Sequence, residues 1–186
     1  MRSKNILSTA AFIVAFVFST AFASLFIAKS VAEPEFISVN THQSTSCFKK
    51  RGNSATAVKI SLLVSEDKRN GRESNRRVYE MGGDVISPFA GSTFSAYADS
   101  VEQYVDASSS IEAGDLPGDF QTAWREHMKA WRDHSTFLSK MKNASNRKGW
   151  SQAEFEDTEN FHNREISRTW YEVIYLGRTY GADVSY

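Results

Sequence analysis

The stretch FQTAWREHMKAWRDHSTFLSKM, residues 120–141, carries the pattern that decides the fold. Its aromatic, imidazole and aliphatic side chains recur at alternating spacings of three and four residues, which places them on one face of a helix of about six turns. These side chains are Phe120, Trp124, His127, Trp131, His134, Leu138 and Met141. The pattern predicts an amphipathic helix that buries this face against neighbouring elements.

Two more segments, one on each side of this stretch, carry helical patterns. Residues 94–111 repeat apolar and aromatic side chains at the same spacings and predict a helix that begins near Ser92 and ends before Gly114. Ser151 and Glu154 form a capping-box pattern that predicts the start of a third helix. The face of that helix holds Phe155, Glu159, His162, Ile166, Trp170, Val173, Gly177 and Tyr180. Three such helices joined by short turns predict a mainly α fold, an antiparallel helical bundle.

The region before these helices is harder to interpret. Residues 33–57 are rich in polar side chains and predict a linker arm, so that the folded domain comprises residues 58–186. Residues 55–90 must supply a fourth layer, either helical or with two short strands, the first within residues 55–64 and the second within residues 77–81. A helical turn remains the alternative for the first strand, because periodicity does not decide over so few residues. The charged run between them, residues 67–77, is typical of an exposed loop or a frayed helix.

An apolar segment near the N-terminus predicts export. Residues 6–28 contain 23 consecutive residues without a charge, a length that spans roughly 35 Å as a helix and is sufficient for a bilayer core of about 30 Å. Arg2 and Lys4 precede it, so the positive-inside rule places the N-terminus in the cytoplasm and the domain outside. Residues 1–32 are therefore interpreted as a transmembrane anchor. The alternative is a signal peptide, after whose cleavage the protein is released to the periplasm.

Charge and cysteine content exclude several classes of protein. The chain has 22 basic and 22 acidic residues, and residues 33–186 have 19 and 22, a net charge of −3. No nucleic-acid partner is expected from this balance. The single cysteine, Cys47, excludes an internal disulfide and every multi-cysteine metal site. The sequence also lacks the spacings of a nucleophile elbow and of a zinc protease helix, so a binding module is expected rather than an enzyme.

A candidate metal site combines His134, His162 and Glu159. If residues 120–141 and 155–180 form a hairpin that turns near residue 148, residues whose numbers sum to about 296 lie at the same level, as His134 and His162 do. Glu159 and His162 lie one helical turn apart on one face, as in carboxylate-bridged metal bundles. The pattern is compatible with one transition-metal ion. The simpler interpretation needs no cofactor, because a neutral buried histidine can donate from one ring nitrogen and accept at the other.

A candidate ligand platform combines Trp124, His127, Trp131 and Trp170. Trp124 and Trp131 are one heptad apart, and Trp170 lies on the facing helix, so their rings could stack an aromatic or apolar ligand. Aromatic stripes at helical spacing are more often part of a hydrophobic core.

The sequences DLPGDFQTAWREHMKAWRDHSTFL, residues 115–138, and ISRTWYEVIYLGRTYGADV, residues 166–184, resemble small uncharacterised bacterial proteins. The resemblance covers about the last 75 residues and rests on the Pro-x-Asp-Phe helix start, the helix bearing tryptophan and histidine, and the tail Thr-Trp-x-Glu-Val…Tyr-Gly. It implies an exported or membrane-associated helical protein and no particular activity. The expected function is therefore that of a membrane-tethered extracytoplasmic binding or accessory module that contacts an envelope protein. The alternative is a metal-binding or redox bundle.

Overall fold

The computed structural model of the chain describes residues 53–80 and 93–184. These described residues form five helices, namely α1 (Ser54–Glu80), α2 (Thr93–Ser109), α3 (Gly118–Lys142), α4 (Ala144–Arg147) and α5 (Gln152–Thr179). The predicted anchor or signal segment, Cys47 and most of the predicted linker arm lie outside the described residues. Within them, none of the helices has the length and apolarity needed to cross a bilayer.

The sequence patterns at the ends of α3 and α5 form the expected caps. Pro117 precedes the first turn of α3, where its missing N–H costs no hydrogen bond. At α5, the Ser151 hydroxyl accepts from the Glu154 N–H at 3.2 Å, and the Glu154 carboxylate accepts from the Ser151 N–H at 2.7 Å. Gly181 follows α5 with φ 81°, a left-handed conformation that favours glycine. The predicted capping box and the predicted stop at Gly181 are both present.

The four long helices form an antiparallel bundle in which each helix packs against the next along the chain. The α3–α5 hairpin has the predicted register, because His134 lies beside His162 and His127 beside Thr169, and both pairs of numbers sum to 296. Helix α1 packs mainly against α2 and meets α5 near one end. The predicted mainly α bundle is thus confirmed for the described residues.

The prediction of strands between residues 55 and 90 is wrong for the part that the structure describes. Residues 54–80 form one helix, which also begins within the predicted linker arm. Its inward positions recur at helical spacing but turn polar halfway, from Ile60 and Val64 to Asp67 and Ser74. In the sequence, the apolar half of this helix is short enough to have the pattern of a strand, and the polar half has the pattern of an exposed loop.

Ion pairs one turn apart also show why the charged run is helical. Glu66 pairs with Arg69, and Glu73 pairs with Arg76 at 2.7 Å and with Arg77 at 3.2 Å. These spacings of three and four residues bring opposite charges together only in a helix.

Residues 182–184 return from the end of α5 and pack beside α1. Ala182 and Val184 are buried, and the Asp183 N–H donates to the Ser61 hydroxyl at 2.8 Å. Gly177 permits this contact, because a Cβ there would lie 3.0 Å from Val184 Cγ1 and 3.4 Å from Ile60 Cγ2. The ends of α1 and α5 are therefore joined through this short tail.

Candidate functional site

His127 is at the centre of a buried hydrogen-bond chain between α3 and α5. The Trp131 Nε1–H donates to His127 Nε2 at 3.2 Å, which makes Nε2 an acceptor and assigns the proton to Nδ1. His127 Nδ1 lies 3.0 Å from the Thr169 hydroxyl, which itself reaches the Glu165 and Ile166 carbonyls at 2.9 and 3.0 Å. Burial lowers the pKa of His127 to about 3. His127 is therefore a neutral residue that joins the two helices.

His134 and His162 lie face to face, as the predicted hairpin requires. Their ring centroids are 5.5 Å apart and the ring planes are 22° from parallel. His134 is fully buried and His162 is partly buried. Burial lowers the pKa of His134 to about 3, and a charge on His162 would lower it further. Burial also lowers the pKa of His162, while Asp133 acts in the opposite direction.

Glu159, the third member of the predicted metal site, hydrogen-bonds elsewhere. Its carboxyl oxygen lies 3.4 Å from the Tyr97 hydroxyl of α2. Burial raises the pKa of Glu159 to about 7, although the hydrogen bond from Tyr97 opposes the shift. Residues 53–80 and 93–184 contain no group of three or more histidine, cysteine or acidic side chains placed to hold a metal ion. The structure thus brings His134 and His162 together and directs Glu159 to Tyr97. The metal site stays a prediction.

The residues of the predicted ligand platform are packed against each other. His127 lies 5.0 Å from Trp170 and 6.0 Å from Trp124 between ring centroids, and Trp131 lies 4.6 Å from Tyr104. All four platform residues are buried. Their rings fill the interior of the bundle, and ligand binding by them stays a prediction.

An open cleft borders Trp124 at the turn between α2 and α3. Its volume is about 230 Å³, and Ile111 and Met128 line it together with Arg125 and Arg132. One of these cations is tied to the wall, because Arg132 Nη1 donates to the Ser109 hydroxyl at 3.2 Å.

Two buried pairs of tyrosine and carboxyl groups were not found from the sequence. The Tyr104 hydroxyl donates to Asp67 at 2.8 Å, one heptad along α2 from the contact of Tyr97 with Glu159. Burial raises the pKa of Asp67 to about 6, and the hydroxyls of Ser108 and Tyr104 oppose the shift. A signal was present, since Asp67 follows Ile60 and Val64 at helical spacing, but it is visible only once residues 54–80 are interpreted as a helix.

The outer surface of the bundle is divided between two pairs of helices. Among the described residues, the exposed large apolar or aromatic side chains all lie on α1 and α5. They are Val58, Leu62, Tyr79, Phe161, Tyr171 and Tyr175. The outer surfaces of α2 and α3 carry small, polar and charged side chains instead.

One row of exposed residues on α1 lies on the side nearest α5. Ser61 and Lys68 mark that side, because Ser61 accepts from the Asp183 N–H and Lys68 Nζ lies 3.5 Å from the Val184 carbonyl oxygen. The first three members of the row lie three or four residues from Ser61 or Lys68 and therefore next to them on the helix, and heptad spacing adds the fourth member. It consists of Val58, Ser65, Arg72 and Tyr79.

A matching row on α5 lies on the side away from α3. Thr169 marks the side of α5 that faces α3, because it contacts His127. Gly177 marks the side that meets α1. Arg178 follows Gly177 and lies more than a quarter-turn around the helix from Thr169. Heptad spacing continues the row to Tyr171, Arg164 and the exposed acid Asp157. We call these two rows, with Lys68 between them, the α1/α5 face.

Comparisons of the chain with protein-family models, with curated proteins and with solved structures found no match. The resemblance to small bacterial proteins therefore stays a prediction.

Proposed function

We propose that this protein is a membrane-tethered extracytoplasmic helical module that acts by binding a component of the cell envelope through its α1/α5 face. One observation carries the proposal: all the exposed large apolar or aromatic side chains of the described residues lie on α1 and α5, and Val58, Tyr79 and Tyr171 among them belong to this face. Tyrosine and arginine, which alternate along α5 in this face, are enriched where proteins bind partners.

The interior of the bundle supports a binding role rather than a catalytic one. His127 holds α3 to α5 through Thr169, and Tyr97 and Tyr104 hold the two buried carboxyl groups. These titratable groups are committed to contacts between helices, where they stabilise the arrangement that presents the outer face.

The tether is inferred from residues 6–28 alone. Their uncharged length and the preceding basic residues favour a single-pass anchor with the N-terminus in the cytoplasm. The intact mass of protein recovered from membranes tests this. A mature N-terminus at Ser24 or Glu33 would refute retention and leave a protein secreted to the periplasm.

Site-specific photocrosslinking in native membranes tests the binding surface. A photoreactive residue is placed at Ser65 or Tyr171 of the full chain, and control positions are Thr122 and Thr136 on the outer side of α3. We expect an adduct with an envelope component, protein or lipid, from the two positions in the α1/α5 face and none from α3. Equal crosslinking at all four positions would contradict the proposal.

A second candidate function is the metal-binding or redox bundle, and the adjacent rings of His134 and His162 are the observation that favours it. Elemental analysis of the purified full chain tests this function. Stoichiometric metal that is lost in His162→Asn, with the fold retained, would support it. Protein purified without metal, and unchanged in melting temperature on addition of Zn²⁺, Cu²⁺ or Fe²⁺, would refute it. His162 is the preferred position because it is less buried than His134.

A further inference from the structure

We propose that the envelope component bound by the α1/α5 face is a second copy of this chain, tethered in the same membrane. The two copies meet along α5, and their α5 helices run antiparallel across a two-fold axis. This inference rests on the proposed function, because it uses the same face and the same tether. Its support is the order of charges and rings along α5, together with the reach of the tether.

The row on α5 has an acid at one end and a base at the other. Its members, in chain order, are Asp157, Arg164, Tyr171 and Arg178, and all four are exposed. The three charged members form no ion pair with residues 53–80 or 93–184. Within the described part of the chain, these charges are therefore left for a contact with another molecule.

The order of the row is complementary to itself. In a two-fold pair of antiparallel helices, residues whose numbers have a constant sum lie at the same level. With a sum of 335, Asp157 lies level with Arg178 of the second copy, and Arg164 lies level with Tyr171 of the second copy. Because a two-fold contact is isologous, each pairing occurs twice. The row thus offers two ion pairs and two contacts of an arginine with a tyrosine ring.

Shifts of the helices by one heptad do not give this match. A sum of 328 places Arg164 opposite itself, and a sum of 342 places Arg164 opposite Arg178. Like charges at the same level oppose association. The order of the four residues therefore favours one register, much as charged flanking positions set partner orientation in coiled coils.

The aromatic residues beside the row match in the same register. Phe161 and Tyr175 flank it on the outer side of α5 and are 53% and 56% exposed. Their numbers sum to 336, so each lies within one residue of the level of the other in the second copy, where their rings can pack. Arg168, between them, faces its own copy, but its charge is paired with Glu165 at 3.0 Å.

Acids and bases are mixed on this face, which suits a second copy better than an anionic bilayer. Lys68 is attracted by Asp183, and Arg72 and Arg178 add positive charge nearby. In the antiparallel arrangement, Asp157 of the second copy brings another acid to this end of α5. A surface of phosphate groups would instead repel both acids.

The tether supplies what a small interface lacks. A contact made by one helix from each copy is at the small end of stable interfaces, which bury about 1,200–2,000 Å² in total. Twenty-four residues separate Ala28 from Asn53, and a chain of that length reaches at most about 80 Å. Two copies anchored in one membrane therefore share a thin layer, in which their effective concentration is high.

The test uses the full chain, with Cys47→Ser, in phosphatidylcholine vesicles. One cysteine is introduced by Ser167→Cys or by Asn160→Cys, at exposed positions one heptad apart on the same side of α5. In the proposed register the two copies of position 167 lie nearly level, whereas those of position 160 are offset by roughly 22 Å along the helix axis. A short thiol crosslinker should join two copies through Ser167→Cys and not through Asn160→Cys. Equal crosslinking of both variants, or none of Ser167→Cys, would overturn the inference.

Charge exchange identifies the residues responsible. Asp157→Arg and Arg178→Asp each place like charges opposite each other, so self-association should weaken by about tenfold, measured by energy transfer between copies labelled on α3 through Thr136→Cys. A mixture of the two variants restores opposite charges and should associate like the wild type, as should Asp157→Arg/Arg178→Asp. The control, Glu126→Arg on α3, makes the same change in net charge as Asp157→Arg and should also associate like the wild type. If association recovers neither in the mixture nor in the double variant, the inference is overturned.

The remaining outcomes separate this inference from the function on which it rests. An adduct at Tyr171 that contains two copies of the chain supports both proposals. If Ser167→Cys fails to join two copies but Tyr171 crosslinks selectively to another protein or to lipid in native membranes, the binding module stands and self-association is overturned. If neither result is seen, both proposals fail.

Discussion

The two hairpins of the bundle are held together by different chemistry. At the α3–α5 interface, rings pack in sequence: Phe137 lies 5.3 Å from Phe155 and His134 lies 5.5 Å from His162. At the α1–α2 interface, small hydroxyl groups meet instead: the Ser74 and Ser100 hydroxyls are 2.8 Å apart, and each also contacts the other residue's carbonyl oxygen. One interface is stabilised mainly by buried surface and the other by a network of hydrogen bonds.

This difference determines how each interface responds to a change. Burial of large rings contributes several kcal/mol per residue, and its loss leaves a cavity. A buried hydrogen bond contributes only about 1 kcal/mol net, but an orphaned partner costs more. The stability of the α3–α5 interface should therefore be most sensitive to truncation of a buried ring. The stability of the α1–α2 interface should be most sensitive to removal of one partner of a hydrogen bond.

The largest expected effect is the truncation of a ring at the α3–α5 interface. Phe155→Ala removes a side chain that is 1% exposed and touches Phe94 and Phe137. It should lower the free energy of unfolding by about 3–5 kcal/mol, measured by urea denaturation. The control, Phe161→Ala on the exposed side of the same helix, should change it by less than about 0.5 kcal/mol. Similar losses in both variants would contradict the assignment of the core.

The pH dependence of stability should reveal the two buried carboxyl groups, Asp67 between α1 and α2 and Glu159 between α5 and α2. The pKa of Glu159 is raised by burial to about 7, so between about pH 4.5 and 7 the unfolded chain ionises while the folded chain keeps its proton. The stabilisation that Glu159 gains is complete below pH 4.5 and is lost as the pH rises through 7. Glu159→Gln should therefore gain stability relative to the wild type as the pH rises over this range, by up to about 3 kcal/mol. Asp67→Asn should behave in the same direction between about pH 4 and 6.

The buried histidines of α3 should act with the opposite sign. Burial lowers the pKa of both His127 and His134 to about 3, so their contribution is present above pH 6.5 and is lost as the pH falls towards 3. Glu159→Gln should therefore still lose stability at acidic pH through these histidines. It should lack the part of the decline between pH 4.5 and 7 that is due to the Glu159 carboxyl. If the free energies of unfolding of Glu159→Gln and the wild type differ by the same amount at every pH, the raised pKa of Glu159 is contradicted.

A matched pair of tryptophan substitutions should separate hydrogen bonding from packing. Trp131→Phe leaves His127 Nε2 without the indole donor that lies 3.2 Å away, at a cost of about 1–3 kcal/mol beyond the loss of ring area. Trp170 Nε1 is buried and hydrogen-bonds to none of the described residues, so Trp170→Phe loses no such bond there. Thermal and urea unfolding should show the greater loss for Trp131→Phe. A greater loss at Trp170 would refute the role assigned to the indole of Trp131.

The smallest effect is expected from the serines of the α1–α2 interface. Ser74→Ala should cost about 1–2 kcal/mol, because the hydroxyl and carbonyl of Ser100 lose a buried partner. Ser74→Ala/Ser100→Ala should cost less than the sum of the two single changes, since removal of both hydroxyls leaves fewer groups without a partner. Strict additivity in a double-mutant cycle would contradict the coupling.

The same contrast explains what the sequence could predict. Helices α2, α3 and α5 and the register of the α3–α5 hairpin follow from apolar periodicity, because their inward faces are nearly continuous stripes of large side chains. In the second half of α1, Asp67 and Ser74 face the interior of the bundle. From the sequence alone such polar residues are indistinguishable from exposed ones, because their hydrogen-bond partners on α2 are not known. The strand predictions failed for this reason, whereas the helical alternatives kept for residues 55–64 and 67–77 agree with the structure.

The candidate site shows the same limit. His134 and His162 lie on two helices joined by a single turn near residue 148. The position of this turn sets the register of the two helices, so the contact was predictable. The contact of Glu159 with Tyr97 involves a third helix, and its geometry depends on how α2 is rotated about its own axis. Spacing along one hairpin could not distinguish a glutamate that joins the histidines from one that turns to a tyrosine.

The tail formed by residues 182–184 has a consequence for the order in which the bundle is assembled. Asp183 hydrogen-bonds Ser61 across 122 residues of chain, and Lys68 reaches the carbonyl of Val184 across 116. During synthesis α1 emerges first, yet these contacts form only after residue 184 has left the ribosome. Contacts within each hairpin span far fewer residues and close sooner, because loop closure is favoured at short separation. We therefore expect α1 to complete its packing last, and removal of residues 182–184 to accelerate its unfolding more than that of the α3–α5 hairpin.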